Sequence, residues 1–212
     1  MILNNDCLVL CGGKGTRLQG YLPEGHPKAL VDINGTPFVE ILMRWLTKNF
    51  SRCILCAGYG AEPLRGWLES GKWTPAPDVF VDLRAEQKPA GTWSAVKWVR
   101  GAIRSERFFV VNGDTYCELD YGELLRVAEK ATYISNKGME QNLITVAIDE
   151  QYRHVGCMVV NKKLFGYQTP EGDVEQLAAW AARNAPAAAE FKQVDAAFWD
   201  VGTPEGLQSF RE

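Results

Sequence analysis

The sequence predicts an α/β fold in which helices cover both faces of a mixed, mostly parallel central sheet. Short, continuously apolar runs alternate with segments of helical periodicity through most of the chain, as buried parallel strands joined by crossovers require. Late in the chain, the runs 143–148 and 155–160 are joined by a link too short for a crossover, which predicts an antiparallel hairpin.

The elements follow in order. Cys7–Cys11 is a five-residue apolar run, expected of a strand buried on both faces. Thr36 and Pro37 predict a helix start, with threonine as cap and proline in the first turn. Phe38, Ile41, Leu42, Trp45 and Leu46 then recur at helical spacing. Strands are predicted at Cys53–Ala57, Asp78–Leu83 and Phe108–Val111, and helices at Glu62–Glu69, Thr92–Ile103 and Tyr121–Lys130. The polar stretch Lys130–Asn142 reads as a surface loop, Asp173–Asn184 as an alanine-rich helix, and Thr203-Pro204-Glu205 as a capped start of the last helix.

Composition bounds the function. The chain has 212 residues, 46% of them hydrophobic and 23% charged, ordinary for a globular domain. Its net charge of −3 gives no sign of a nucleic-acid binder. No apolar run approaches the roughly 18 residues of a membrane span, and the first residues lack a basic, signal-like start. Six cysteines sit mostly in apolar, strand-like runs, so a reducing cytoplasm is expected. Cys53-x-x-Cys56 lacks a second pair and lies inside a strand pattern, so it reads as structural rather than redox-active or zinc-binding.

The first chemical motif is Leu10-Cys-Gly-Gly-Lys-Gly-Thr-Arg-Leu18, directly after the first strand. Its glycines allow close backbone approach to a phosphate, and successive N–H groups in such a loop make an anion nest. Lys14 and Arg17 add the positive charge a phosphate needs. The loop matches neither the P-loop pattern nor the dinucleotide fingerprint, which speaks against an α/β oxidoreductase. Asn112-Gly113-Asp114 ends another buried strand, where open α/β sheets bind ligands, and a carboxylate there suits Mg²⁺.

The pattern L-x-G-G-x-G-T-R-L resembles the signature of the sugar-nucleotidyltransferase family. Pro27-Lys28, Glu86-Gln-Lys-Pro-Ala-Gly-Thr92, Gly113-Asp114 and Trp199-Asp-Val-Gly-Thr-Pro-Glu205 resemble further family segments, in family order from residue 10 to 205. The resemblance implies a Rossmann-like three-layer sandwich in one domain, 1–212, with a nucleotide-binding part over about 1–116 and an acceptor-binding part over about 117–212. It implies that Leu10, Cys11, Gly12, Gly13, Lys14, Gly15, Thr16 and Arg17 wrap the triphosphate, with Glu86, Gly91, Thr92, Asn112 and Gly113 completing the nucleotide site. It implies too that Arg17, Lys28 and Asp114 take catalytic roles and that Asp114 and Asp200 hold Mg²⁺. The implied substrates are a nucleoside triphosphate and a small phosphorylated acceptor, a sugar 1-phosphate. Within the family the chain looks most like the heptose 1-phosphate guanylyltransferases, which implies GTP. A homodimer is a further expectation; a nucleic-acid or membrane partner is not.

Two departures stand out. Trp93 follows Gly91-Thr92 where relatives carry a small residue, and is expected to crowd the pocket. No Glu-Lys element that would touch the sugar phosphate is found between Asp120 and Val155; Asp173 and Lys192 are weak substitutes, while His26 and His154, a loop and a strand-edge residue, need no role. The departures keep two alternatives open: another small phosphate as acceptor with CTP, and a non-catalytic nucleotide-binding relative.

Overall fold

The computed structural model describes residues 2–18, 20–88, 90–130, 132–135, 138–184 and 189–212. In chain order the strands are β1 (Leu3–Leu10), β2 (Asp32–Ile33), β3 (Thr36–Pro37), β4 (Phe50–Ala57), β5 (Phe80–Ala85), β6 (Arg107–Asn112), β7 (Thr115–Cys117), β8 (Thr132–Ser135), β9 (Gly138–Gln141), β10 (Ile144–Ile148), β11 (His154–Asn161), β12 (Ala189–Gln193) and β13 (Phe198–Asp200). The helices are α1 (Phe38–Asn49), α2 (Ala61–Glu69), α3 (Thr92–Trp98), α4 (Tyr121–Lys130), α5 (Val174–Asn184) and α6 (Pro204–Arg211).

Seven strands form the central sheet in the order β12-β10-β11-β6-β1-β4-β5. β11 pairs antiparallel with both its neighbours, and the other pairings are parallel. The expected mixed, mostly parallel sheet is therefore present, with the 144–148 and 154–161 strands as the predicted hairpin.

Strand alternation divides the interior into two cores, one on each face of the sheet. Cys7 and Val9 of β1 pack with residues of α1, α4 and α6, whereas Leu8 and Leu10 pack with α3 and α5. Cys53 and Cys56 of β4 fall into opposite cores, because residues three apart on a strand face opposite sides. They cannot converge on one metal, and all six cysteines are free and buried.

At the lower edge of the sheet, the buried Arg52 Nε binds Asp6 Oδ1 at 2.6 Å, and Asp6 Oδ2 accepts the backbone N–H of Arg104 and of Ser105. This ties the starts of β1 and β4 together. The opposite edge holds the carboxyl ends of β1, β4, β5 and β6.

Several local expectations need correction. α1 begins at Phe38, with Pro37 as its cap position, because Thr36 and Pro37 are drawn into a short ladder with β2 and the Phe38 N–H bonds to Val31 O. The 78–83 strand is shifted to Phe80–Ala85, and the 92–103 helix stops at Trp98 before a 3₁₀ turn, Arg100–Ala102. Within the presumed loop 130–142, β8 and β9 pair antiparallel; Thr, Tyr and Ile in succession have strand propensity that outweighs the polar flanks. The ribbon β7/β13 and edge strand β12 had no clear apolar run to announce them. Among the described residues, no helix is long and apolar enough to cross a membrane.

Candidate active site

Strand order reverses between β1 and β6: the chain leaves β1 for β4 on one side and later returns to β6 on the other. At such a switch point the connections diverge and open a crevice at the strands' carboxyl ends. Leu10 and Asn112, the last residues of the two strands, are direct partners there. The glycine loop leaves from one and the Asn-Gly-Asp turn from the other. Gly113 N–H donates to Leu10 O at 3.0 Å, and Cys11 N–H to Cys56 O at 2.8 Å, so both loops are fixed at their roots.

Above this seam lies a cleft of about 650 Å³, the size of small-molecule sites. Among the residues named from the sequence, Leu10, Gly12, Gly13, Arg17, Lys28, Glu86, Gly91, Thr92, Asn112, Asp114 and Asp200 line it. Lys14, Gly15 and Thr16 instead line a smaller cavity of about 320 Å³ with Leu22, His26 and Tyr59. Cys11 is in the core, where burial above all, with the Asp114 charge added and Lys28 opposing, pushes its thiol up to about 12. Burial also raises the Glu86 carboxyl above its ordinary value.

The two aspartates meet through the β7/β13 ribbon, in which Asp200 pairs with Thr115, the residue after Asp114. Asp114 O accepts from Val201 N–H at 2.9 Å, and Asp200 Oδ1 accepts from Gly202 N–H at 2.9 Å. Gly202 occupies the space beside both carboxylates: a methyl on it would stand 2.5 Å from Asp114 Oδ2 and 2.9 Å from Asp200 Oδ1. Asp114 is almost fully buried and its Oδ2 pairs with the Lys28 ammonium.

This donor set fits a hard divalent cation. Mg²⁺ takes one or two carboxylates and fills its octahedron with water and phosphate oxygens. Four carboxylates (Glu86, Asp114, Asp173, Asp200) line the cleft with three guanidinium or ammonium groups (Arg17, Lys28, Arg153) and the imidazole of His154. Among the described residues no group of three or more His, Cys, Asp or Glu is placed to hold a metal.

The tryptophan after Gly91-Thr92 does not crowd the cleft. Trp93 is fully buried, stacks on Phe165 at 5.7 Å and donates its Nε1–H to Thr169 at 3.0 Å. Thr92 and Ala95, on the neighbouring face of α3, line the cleft instead. Nor does Thr92 cap its own helix. Thr92 N–H donates to Asp173 Oδ1 at 3.0 Å, while Val174 N–H donates to Thr92 Oγ1 at 2.9 Å. The starts of α3 and α5 thus cap each other. Gly91 makes the junction: at φ 109° its added methyl would stand 2.4 Å from the Gly172 carbonyl.

Asp173 lines the cleft in addition to capping, whereas Lys192 pairs with Glu123 at 3.2 Å and does not line it. Reading the sequence missed Cys56, Ala95, Thr115, Arg153 and Phe198, and gave His154 no role, yet all of them line the cleft. Arg153 and His154 stand at the start of β11, which runs antiparallel and so begins at the edge where its neighbours end.

Comparison with known proteins bears on the family and the fold. The model of the nucleotidyl transferase family matches residues 6–178. D-glycero-alpha-D-manno-heptose 1-phosphate guanylyltransferase of Campylobacter jejuni is 30% identical over 153 residues, covering 69% of this chain and 64% of that protein. Mannose-1-phosphate guanylyltransferase of Mycobacterium tuberculosis is 27% identical over 226 residues, covering 94% of this chain and 62% of that protein. The chain therefore spans just under two thirds of the length of these two relatives, and 36% of a similar bifunctional GlmU protein from Methanococcus maripaludis. The crystal structure of HddC from Yersinia pseudotuberculosis is 25% identical, covers 98% of both chains and superposes with a TM-score of 0.74; its complex with GMP-PN gives 0.73.

Proposed function

We propose that this chain, which belongs to the nucleotidyl transferase family, transfers a nucleoside monophosphate from a nucleoside triphosphate to a sugar 1-phosphate. GTP and a heptose 1-phosphate are the favoured pair, since the Campylobacter relative is named for both and the Mycobacterium relative is also a guanylyltransferase. The observation that carries the proposal is the convergence of Arg17, Lys28, Asp114 and Asp200 around one crevice at the β1/β6 seam.

In the reaction, an oxygen of the acceptor phosphate attacks the α-phosphorus of the triphosphate. The bond from that phosphorus to the bridging oxygen breaks, and pyrophosphate leaves with the electron pair. The nucleophile is already an anion, so no side chain has to remove a proton. Catalysis is then positioning and neutralisation of charge. The glycine loop holds the triphosphate, with Arg17 on the departing phosphates. Lys28 stabilises the charge that builds on the α-phosphate. Glu86 and Gly91 contact the base. Asp114 and Asp200 would hold Mg²⁺, which supplies electrostatic shielding between the phosphates when bound.

The test is pyrophosphate release with Mg²⁺ present, each of GTP, CTP, UTP, dTTP and ATP being paired with sugar 1-phosphates and small phosphorylated alcohols. Release that requires one triphosphate and one acceptor is expected, with GTP and heptose 1-phosphate most active. Silence across the panel from a protein that still binds a triphosphate would leave it a nucleotide binder and sink the transferase proposal.

A further inference from the structure

We infer that Arg153 anchors the acceptor's phosphate and that the adjoining cavity takes a polyhydroxylated body with no second anionic group; this rests on the transferase reading above. A transferase joining two phosphates needs positive charge for each. Arg17 and Lys28 both belong to the triphosphate side of the cleft. Among the described residues lining the cleft, the remaining guanidinium or ammonium is that of Arg153, contributed by the other half of the chain.

Arg153 is held ready for such a role. Residues 149–153 form a tight turn: Asp149 N–H donates to Arg153 O at 2.9 Å and Tyr152 N–H to Asp149 O at 3.1 Å. Asp149 Oδ1 accepts the N–H of Gln151 and of Arg153 at 2.9 and 2.8 Å, and its Oδ2 accepts Arg153 Nε at 2.6 Å. The guanidinium carbon lies 5.6 Å from the centroid of the Phe198 ring. One edge of the guanidinium is thus fixed. Among the described residues no hydrogen bond takes its two terminal nitrogens, and 62% of the side chain is exposed. That leaves the paired donors with which arginine grips a phosphate.

Arg153 and Phe198 also line a second cavity, of about 670 Å³, and so mark its junction with the cleft. Its polar side chains are Asp149, Glu150, Gln193 and Asp195 beside that arginine. Carboxylates and an amide accept hydrogen bonds from hydroxyl groups and repel a further anion. With Asp149 held by its own turn, Glu150, Gln193 and Asp195 accept from the body, and the set selects an acceptor with a single phosphate and a hydroxyl-rich body. A quaternary ammonium body brings no hydroxyl donors to this set, and the Phe198 face on which it would lie is already taken by Arg153.

The experiment is calorimetric titration of D-glycero-α-D-manno-heptose 1-phosphate into the full chain, Arg153→Ala and Arg153→Lys. Free heptose and phosphocholine are titrated alongside, and GTP separately. The heptose phosphate should bind the parent protein and bind Arg153→Ala roughly tenfold or more weakly, as loss of a charge-assisted hydrogen bond predicts. Arg153→Lys should recover part of the loss, GTP affinity should stay within about twofold, and the two controls should bind negligibly. Equal binding to Arg153→Ala, parallel loss of GTP binding, displacement by phosphocholine, or no binding to the parent protein would each overturn the inference. If pyrophosphate release then proceeds with a non-sugar phosphate, the transferase reading survives alone. Arg153-dependent binding without turnover of any triphosphate would leave this inference standing and remove that reading.

Discussion

The two halves of the cleft are built differently. The side proposed for the triphosphate comes from segments that follow directly on the ends of parallel strands: Leu10, Gly12, Gly13 and Arg17 at β1, Glu86, Gly91 and Thr92 after β5, and Asn112 and Asp114 at β6. The side proposed for the acceptor is assembled one residue at a time: Arg153 and His154 from the start of an antiparallel strand, Asp173 from a helix start, Phe198 and Asp200 from a two-stranded ribbon. Backbone N–H groups that grip phosphates must be consecutive, so that side is written as motifs. Side chains that meet across the fold carry no fixed spacing.

The sharpest way to break this comparison is at the point where the halves touch. Asp114→Ala and Asp200→Ala, one from each half, should both lower turnover by on the order of 10²–10³, as should Lys28→Ala. Steady-state pyrophosphate release measures it; near-normal turnover in any of the three removes the role assigned to that residue. Gly202→Ala tests the seam with the charges left in place. Its methyl would stand within 3 Å of both carboxylates, so activity should fall by about tenfold or more. Equal activity would mean that the aspartates do not have to share that space.

Smaller effects probe the junction of α3 and α5, which joins a triphosphate-side residue to an acceptor-side one. Gly91→Ala forces alanine to a positive φ against the Gly172 carbonyl. A loss of about 2 kcal/mol, a melting shift of about 4–8 °C in a chain of this size, is expected. Thr92→Val and Asp173→Ala should each cost about 1 kcal/mol of capping energy. A double-mutant cycle should show coupling of about 0.5 kcal/mol or more, whereas independent caps would simply add. Least of all should change with thiol chemistry. Burial pushes Cys11 and Cys117 up to about 12, with the Asp114 and Glu118 charges respectively contributing. At pH 8 both stay protonated, so iodoacetamide should leave the native protein unlabelled and active; rapid labelling would show that the core opens there.

Much of the fold was legible in the sequence because its signals are local. Runs such as 7–11, 53–57 and 108–111 have the length and continuous apolar character of strands buried on both faces, and their alternation with amphipathic helices leaves few architectures. Helix starts were less legible. Thr36 and Thr92 both have the chemistry of a cap, but one is claimed by a β-ladder and the other by a different helix. The hydrogen-bond partner, rather than the residue type, settles what such a threonine does. Trp93 misled for the same reason: volume can be counted along a chain, but the face of α3 on which it lands depends on Phe165 and Thr169.

By itself the sequence determined the alternation of strands and helices, the glycine loop with its arginine and the candidate aspartates, since each is set by neighbours in the chain. The tertiary structure alone decided that the Asp114 and Asp200 carboxylates both lie beside Gly202, that α3 and α5 cap each other, and that Arg153 reaches the cleft. Those contacts join residues dozens of positions apart, and only the order and direction of the strands bring them together.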